Sequence, residues 1–153
     1  MHVIFLCWGN ICRSPMAERV ARRLAADRGL DVAFTSAATS TEELGAPIDR
    51  RAAAVLTEAG YDADHHAAHQ ISRNEAEQAD LIVAMEQLHL DRLRRIAPGV
   101  RGVLMSDYDP QSRPGDGVPD PWYGPDSGFR TTLHTLERAV PHLLDELAAS
   151  PAR

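Results

Sequence analysis

Strand-like and helix-like segments alternate along the whole chain, and that alternation leaves few folds open. Val3 to Trp8 is an unbroken apolar run of strand length, as expected where helices cover both faces of a sheet. After Pro15, Met16, Val20 and Leu24, with Ala17, Ala21 and Ala25, recur at helical spacing until Gly29. Asp31 to Ser36 alternates like a second strand, a polar loop runs to Ile48, and Asp49 has the place of an N-cap for a helix through Val55 and Leu56 to Gly60. Ser72-x-x-Glu75 has the form of a capping box. Leu81 to Met85 reads as a buried strand, Glu86 to Ala97 as a helix carrying Leu88, Leu93 and Ile96, and Val100 to Met105 as a fourth strand. A last helix spans about Asp126 to Ala149, with Phe129, Leu133, Leu136, Val140, Leu143, Leu144 and Leu147 as its core stripe; Pro141 should kink or break it. The pattern predicts an α/β fold in which a four-stranded parallel sheet carries helices on both faces, as one domain over residues 1–153.

Sheets of this kind bind ligands beyond the carboxyl ends of their strands, and the first strand ends at Cys7. The segment Cys7-Trp8-Gly9-Asn10-Ile11-Cys12-Arg13-Ser14-Pro15 leads from that strand through a short loop into a helix. The five residues between Cys7 and Arg13 can curl until successive backbone N–H groups converge, and the helix N-terminus adds its own. A phosphate dianion suits such a cradle. Gly9 permits a positive φ, Asn10 tolerates the left-handed region, and Pro15 suits a first helical position. The same positive surroundings favour the thiolate of Cys7 over the thiol. Arg13 brings a planar fork of donors able to clamp two equatorial oxygens of a phosphoryl group, and Ser14 can stabilise the thiolate as it leaves.

Composition narrows the field. A net charge of −6 with scattered arginines argues against nucleic acid, and Val3 to Trp8 is far too short to span a membrane. A cytoplasmic location is the default expectation, and the lysine-free, alanine-rich composition hints at a GC-rich bacterial genome. The only two cysteines, Cys7 and Cys12, share one loop, so there is no disulfide framework. Cys12 is either a resolving thiol that captures oxidised Cys7 or a packing residue. The long connection from Ser106 to Pro125 is unusual in a compact domain and contains Asp109-Pro110 and Asp120-Pro121. Only the second pair is followed by two aromatics, Trp122 and Tyr123. Asp120 on a loop closing over the cradle can supply the acid that protonates a leaving phenolate, and then the base that activates water.

With these residues in place the chain resembles the low-molecular-weight protein tyrosine phosphatases, nearly from end to end. The loop Cys7 to Pro15 followed by Met16-Ala17-Glu18 matches the family signature, and Asp120-Pro121-Trp122-Tyr123-Gly124 resembles its acid loop, with Trp122 where tyrosine is usual. The resemblance implies a flavodoxin-like layering, a cysteinyl-phosphate intermediate on Cys7, general acid–base work by Asp120, and transition-state contacts from Arg13. Trp8, Gly9, Asn10, Ile11, Cys12, Ser14, Trp122 and Tyr123 are the expected substrate contacts. It implies that Asn10 bonds a serine and a histidine, here Ser36 and His66 with His65 as the rival, while Glu86 stands where the family carries aspartate. No cofactor or metal is implied; the partners are phosphotyrosine proteins or peptides, with phosphate as product and inhibitor. Thr41-Glu42-Glu43 replaces an aromatic wall of the substrate cleft, and Trp8 is a candidate to take its place. Arsenate reduction would need further cysteines, phosphoarginine hydrolysis typically accompanies threonine where Ile11 stands, and a flavodoxin-like binding protein would need no cysteine at the strand end.

Overall fold

A computed structural model describes residues 1–150, so the last three residues of the expected 1–153 domain lie outside the described residues. Strand β1 (His2–Cys7) pairs in parallel with β2 (Ala33–Ala38) on one side and β3 (Leu81–Ala84) on the other. A short β4 (Val103–Leu104) lies beyond β3, giving the order β2-β1-β3-β4. Five helices complete the fold: α1 (Arg13–Arg28), α2 (Arg50–Glu58), α3 (Arg73–Gln78), α4 (Gln87–Ile96) and α5 (Ser127–Ala149).

The apolar run of β1 is explained by two-sided cover. Val3, Phe5 and Cys7 face a core shared with Met16 and Val20 of α1 and Leu136 and Leu143 of α5, whereas Ile4 and Leu6 face a core with Ala76 of α3 and Leu93 of α4. From β1 the chain passes first to the neighbour on one side and later to the neighbour on the other. Cys7 ends β1 at this divergence, where a crevice opens naturally.

Several boundaries differ from expectation for local reasons. Helix α1 begins at Arg13, so Pro15 is its third residue; its absent N–H costs nothing there, because the first-turn donors have no intrahelical acceptor. Strand β2 starts at Ala33 because its register is set by pairing His2 with Ala33. The fourth strand shrinks from the expected 100–105 to Val103–Leu104, since only Val83 and Ala84 pair with it, and Met105–Tyr108 then coils into a 3-10 turn. Leu88 is not core: it stands half exposed on the first turn of α4. Helix α5 runs unbroken through Pro141, its expected stripe fully buried. The burial of that stripe outweighs one lost backbone hydrogen bond.

Candidate active site

The loop from Cys7 to Cys12 is shaped by the partners of its carbonyls. Thr39 N–H donates to Cys7 O (2.9 Å), Ser40 N–H to Trp8 O (3.1 Å), His66 Nε2 to Asn10 O (2.7 Å), Asp49 N–H to Ile11 O (2.8 Å) and Met16 N–H to Cys12 O (3.0 Å). With these carbonyls drawn into the surrounding fold, the amide planes turn their N–H groups to the concave side. The N–H groups of Gly9, Asn10, Ile11 and Cys12 meet no acceptor among the described residues, which is the arrangement of an anion nest. Asn10 adopts the left-handed region at φ 59°; Gly9, contrary to expectation, does not. A Cβ at position 9 would lie 3.3 Å from Glu43 Cγ, a tight contact that the glutamate side chain would have to relieve by a small shift.

Cys7 Sγ lies 2.9 Å from Ser14 Oγ, and Asn10 Nδ2 donates to Ser14 Oγ and Ser36 Oγ, each at 2.9 Å. Because Asn10 fills an acceptor position on Ser14, the hydroxyl proton is free to point at the sulfur. Ser36 passes its own proton to Glu18 Oε1 (3.1 Å), and Glu18 is paired with Arg19 Nε (2.8 Å) inside the protein. Arg19 Nη1 donates to Asp64 O (2.7 Å), which anchors the segment that brings His66 to the loop. His66, not His65, therefore meets Asn10; burial lowers the tendency of its ring to protonate. The sequence reading missed Glu18, Arg19 and His69, whose N–H reaches Asn10 Oδ1 at 3.3 Å. The available signal was position: Glu18 falls one turn after Ser14 on the same helix face.

Arg13 is buried, and its guanidinium has one hydrogen-bond acceptor and two carboxylate neighbours. Nη1 donates to Val118 O (2.7 Å) and lies 3.2 Å from Glu86 Oε2, while Nη2 is 3.7 Å from Asp120 Oδ2. Val118 is itself tied to the end of β3 by its N–H to Met85 O (2.7 Å). The long loop thus brings Asp120 to the mouth of the cradle, with Asp120 Oδ1 accepting from Trp122 N–H at 3.0 Å. Asp109, the other Asp-Pro carboxylate, is buried elsewhere in a two-pronged pair with Arg138 (2.7 and 2.8 Å), which holds it down to about 2.

Together these residues line a cavity of about 470 Å³. Cys7, Cys12 and Arg13 are among its lining residues; Trp8, Leu88, Trp122 and Tyr123 give it apolar sides, and Glu42 and Glu43 line it too. Trp8 is braced by Arg92, whose guanidinium carbon sits 4.5 Å from the ring centre while Nη2 donates to Thr39 O (3.0 Å). His89, buried at the same cavity, accepts from Glu86 N–H at Nδ1 (3.0 Å), which leaves its proton on Nε2. That Nε2 has no partner among the described residues, and burial, with Arg13 and Arg92 nearby, pushes the ring down to about 3. Burial pushes the Cys12 thiol well up, with Asp49, Cys7 and Asp120 adding to the effect, so Cys12 stays protonated. Among the described residues no cluster of three or more His, Cys, Asp or Glu is placed to hold a metal ion.

The described residues contain no helix long and apolar enough to cross a membrane. The family model for low molecular weight phosphotyrosine protein phosphatases matches residues 2–152. The chain is 44% identical over 149 residues to the low molecular weight protein-tyrosine-phosphatase of Streptomyces coelicolor, covering 93% of this chain and 90% of that protein. It is 40% identical to low molecular weight protein-tyrosine phosphatase A of Mycobacterium tuberculosis, covering 95% and 90%. A crystal structure of a protein tyrosine phosphatase from Entamoeba histolytica, with Hepes in its active site, superposes with a TM-score of 0.90 at 29% identity, covering 97% of each chain. The nest closed by Cys7 and Arg13 therefore sits in a chain that belongs to the low molecular weight phosphotyrosine protein phosphatase family.

Proposed function

We propose that this protein hydrolyses phosphotyrosine in proteins or peptides by two in-line displacements at phosphorus. Cys7 Sγ attacks, the P–O bond to the phenol breaks, and Asp120 gives its proton to the departing oxygen. The cysteinyl phosphate is then attacked by water, which passes a proton to Asp120; the S–P bond breaks, and inorganic phosphate and the thiolate return. Arg13 and the unpaired N–H groups of the loop carry the charge on the equatorial oxygens through both steps, the positioning that phosphoryl transfer mostly requires. Ser14 receives the thiolate as it leaves. Glu86 and the Val118 carbonyl steer the Arg13 fork, while Asn10, Ser36 and His66 hold the shape of the loop. Trp8, Ile11, Trp122 and Tyr123 flank the aryl ring, with Gly9 and Cys12 contributing backbone.

One observation carries this reading. The carbonyls that flank the thiol are bonded into the fold, while neighbouring N–H groups and a buried arginine are left for an anion beside the sulfur. A cysteine that only packs would need none of this. Two free thiols at the site also suit a reducing compartment, so we place the enzyme in the cytoplasm.

The test is phosphate release from a phosphotyrosine peptide in buffer containing chelator, with a phosphoarginine substrate in parallel. Wild type should turn over the tyrosine substrate and be inhibited by its phosphate product, whereas Cys7→Ser should lose turnover and still bind phosphate. Undiminished release by Cys7→Ser would overturn the covalent mechanism, and preference for phosphoarginine would reassign the substrate.

A further inference from the structure

Arg51 belongs to neither the phosphate cradle nor the loop that carries Asp120, yet it joins them. It is the second residue of α2, two positions after the Asp49 N-cap, whose carboxylate accepts from the N–H groups of Arg51 (2.8 Å) and Ala52 (3.3 Å). The same carboxylate takes Arg51 Nε (3.3 Å) and Nη2 (3.4 Å). Asp49 N–H, in turn, holds Ile11 O of the phosphate loop at 2.8 Å. The guanidinium carbon also lies over two aromatic rings, 4.8 Å from the centre of Trp122 and 4.5 Å from that of Phe129, while Nη1 donates to Trp122 O (3.3 Å). Trp122 N–H then bonds Asp120 Oδ1 (3.0 Å).

The acid loop has little else to hold it. Of residues 119–127 only Pro121 is buried, against Gly128 at the start of α5. The remaining contact of Asp120 itself is the 3.7 Å approach to Arg13. A planar, always-charged group suits the task, because it can stack on aromatic faces and bond in its plane at once. Lysine can keep the charge but not the planar face.

We propose that Arg51 is the positioning residue of the general acid: it locks the backbone at Trp122 to the phosphate loop through Asp49, so that Asp120 meets the leaving oxygen in register. This rests on the reading of Asp120 as the acid, and it predicts a selective loss. Protonation matters most for a leaving group of pKa ~10, such as phenol, and least for a strongly acidic one. In the full chain, Arg51→Ala should lower kcat/KM, which reads only the steps up to departure of the phenol, by about tenfold or more for phenyl phosphate, and leave kcat/KM for a highly acidic nitrophenyl or fluorinated aryl phosphate within about twofold. Inhibition by inorganic phosphate should be unchanged, because the cradle is intact. Arg51→Lys should behave like Arg51→Ala.

Asp120→Asn, measured beside them, separates the two ideas. If Asp120→Asn shows no dependence on leaving group, the acid reading falls and this inference with it. A steep dependence in Asp120→Asn with none in Arg51→Ala overturns the positioning role alone. Equal losses on all substrates with weakened phosphate inhibition would show Arg51 to be merely structural, and would overturn it too.

Discussion

His89 shows how one side chain can bind the stability of the protein to pH. Its ring is buried, with the proton on an Nε2 that has no partner among the described residues, and its protonated form is suppressed to about pH 3 by burial and by the nearby guanidinium groups of Arg13 and Arg92. An unfolded histidine protonates near pH ~6.5. Between those values the unfolded chain binds a proton that the folded chain refuses, so the contribution of this residue is complete above about pH 6.5 and is lost as pH falls. The size at pH 5 relative to pH 7 is about 2 kcal/mol. His89→Asn, whose amide oxygen can still accept from Glu86 N–H, should remove this acid sensitivity: in urea unfolding, the stability of wild type relative to the variant should fall by about that amount between pH 7 and pH 5. A difference that stays constant with pH would rule the histidine out as the source. Asn10 makes a contrasting case at the same scale. Its left-handed backbone was legible, because a short polar side chain in a tight loop has few alternatives, and its bond to Ser36 was expected from the family resemblance. The bond from His69 N–H was not, since it depends on where a loop 59 residues away passes.

Among the elements, α5 deserves a quantitative test because it tolerates Pro141 in its interior. The proline lacks the N–H that would bond Glu137 O, and its ring crowds that carbonyl, against a smaller entropic benefit in the unfolded chain. Pro141→Ala should therefore stabilise the protein by about 1 kcal/mol and raise Tm by about 2–4 °C without changing turnover. A lower Tm in calorimetry would mean that a bend at this point is part of how the helix wraps the sheet. The stripe of α5, the caps at Asp49 and Ser72 and the stop at Gly29 were readable in advance, because each is set by residues within one turn. Elements whose limits depend on partners were less so. Strand β4 is only as long as its pairing with β3, and Gly102 beside it leaves no room for a Cβ next to Leu90 and the Ile82 carbonyl. Leu88, five residues before Leu93, lies about 140° around the helix from it, at the turn that borders the cavity, where an apolar side chain serves as a wall instead of core. The network of Glu18 and Arg19 was hidden for a related reason: a buried charge is recognisable only once its counter-charge is found.

For the molecule as a whole, a net charge of −6 sets the field that substrates meet. Glu42 and Glu43 bring that field to the cavity, and neither has an ion-pair partner among the described residues. Phosphotyrosine peptides flanked by arginine should be hydrolysed with kcat/KM about tenfold above peptides flanked by glutamate at low ionic strength, and the gap should shrink at about 0.5 M salt. Replacing both residues by glutamine should narrow it in the same way; an unchanged ratio in the double variant would place the selection elsewhere. The strand order has a consequence for synthesis as well. Cys7 ends a strand whose two neighbours, beginning at Ala33 and Leu81, are translated after it, and the groups that hold Arg13 and approach it from the long loop, Val118 and Asp120, come later still. A nascent chain can therefore display the thiol long before the nest around it is complete. The ribosome delivers the thiol early and the rest of its pocket late, so the site is assembled only when the fold around it has closed.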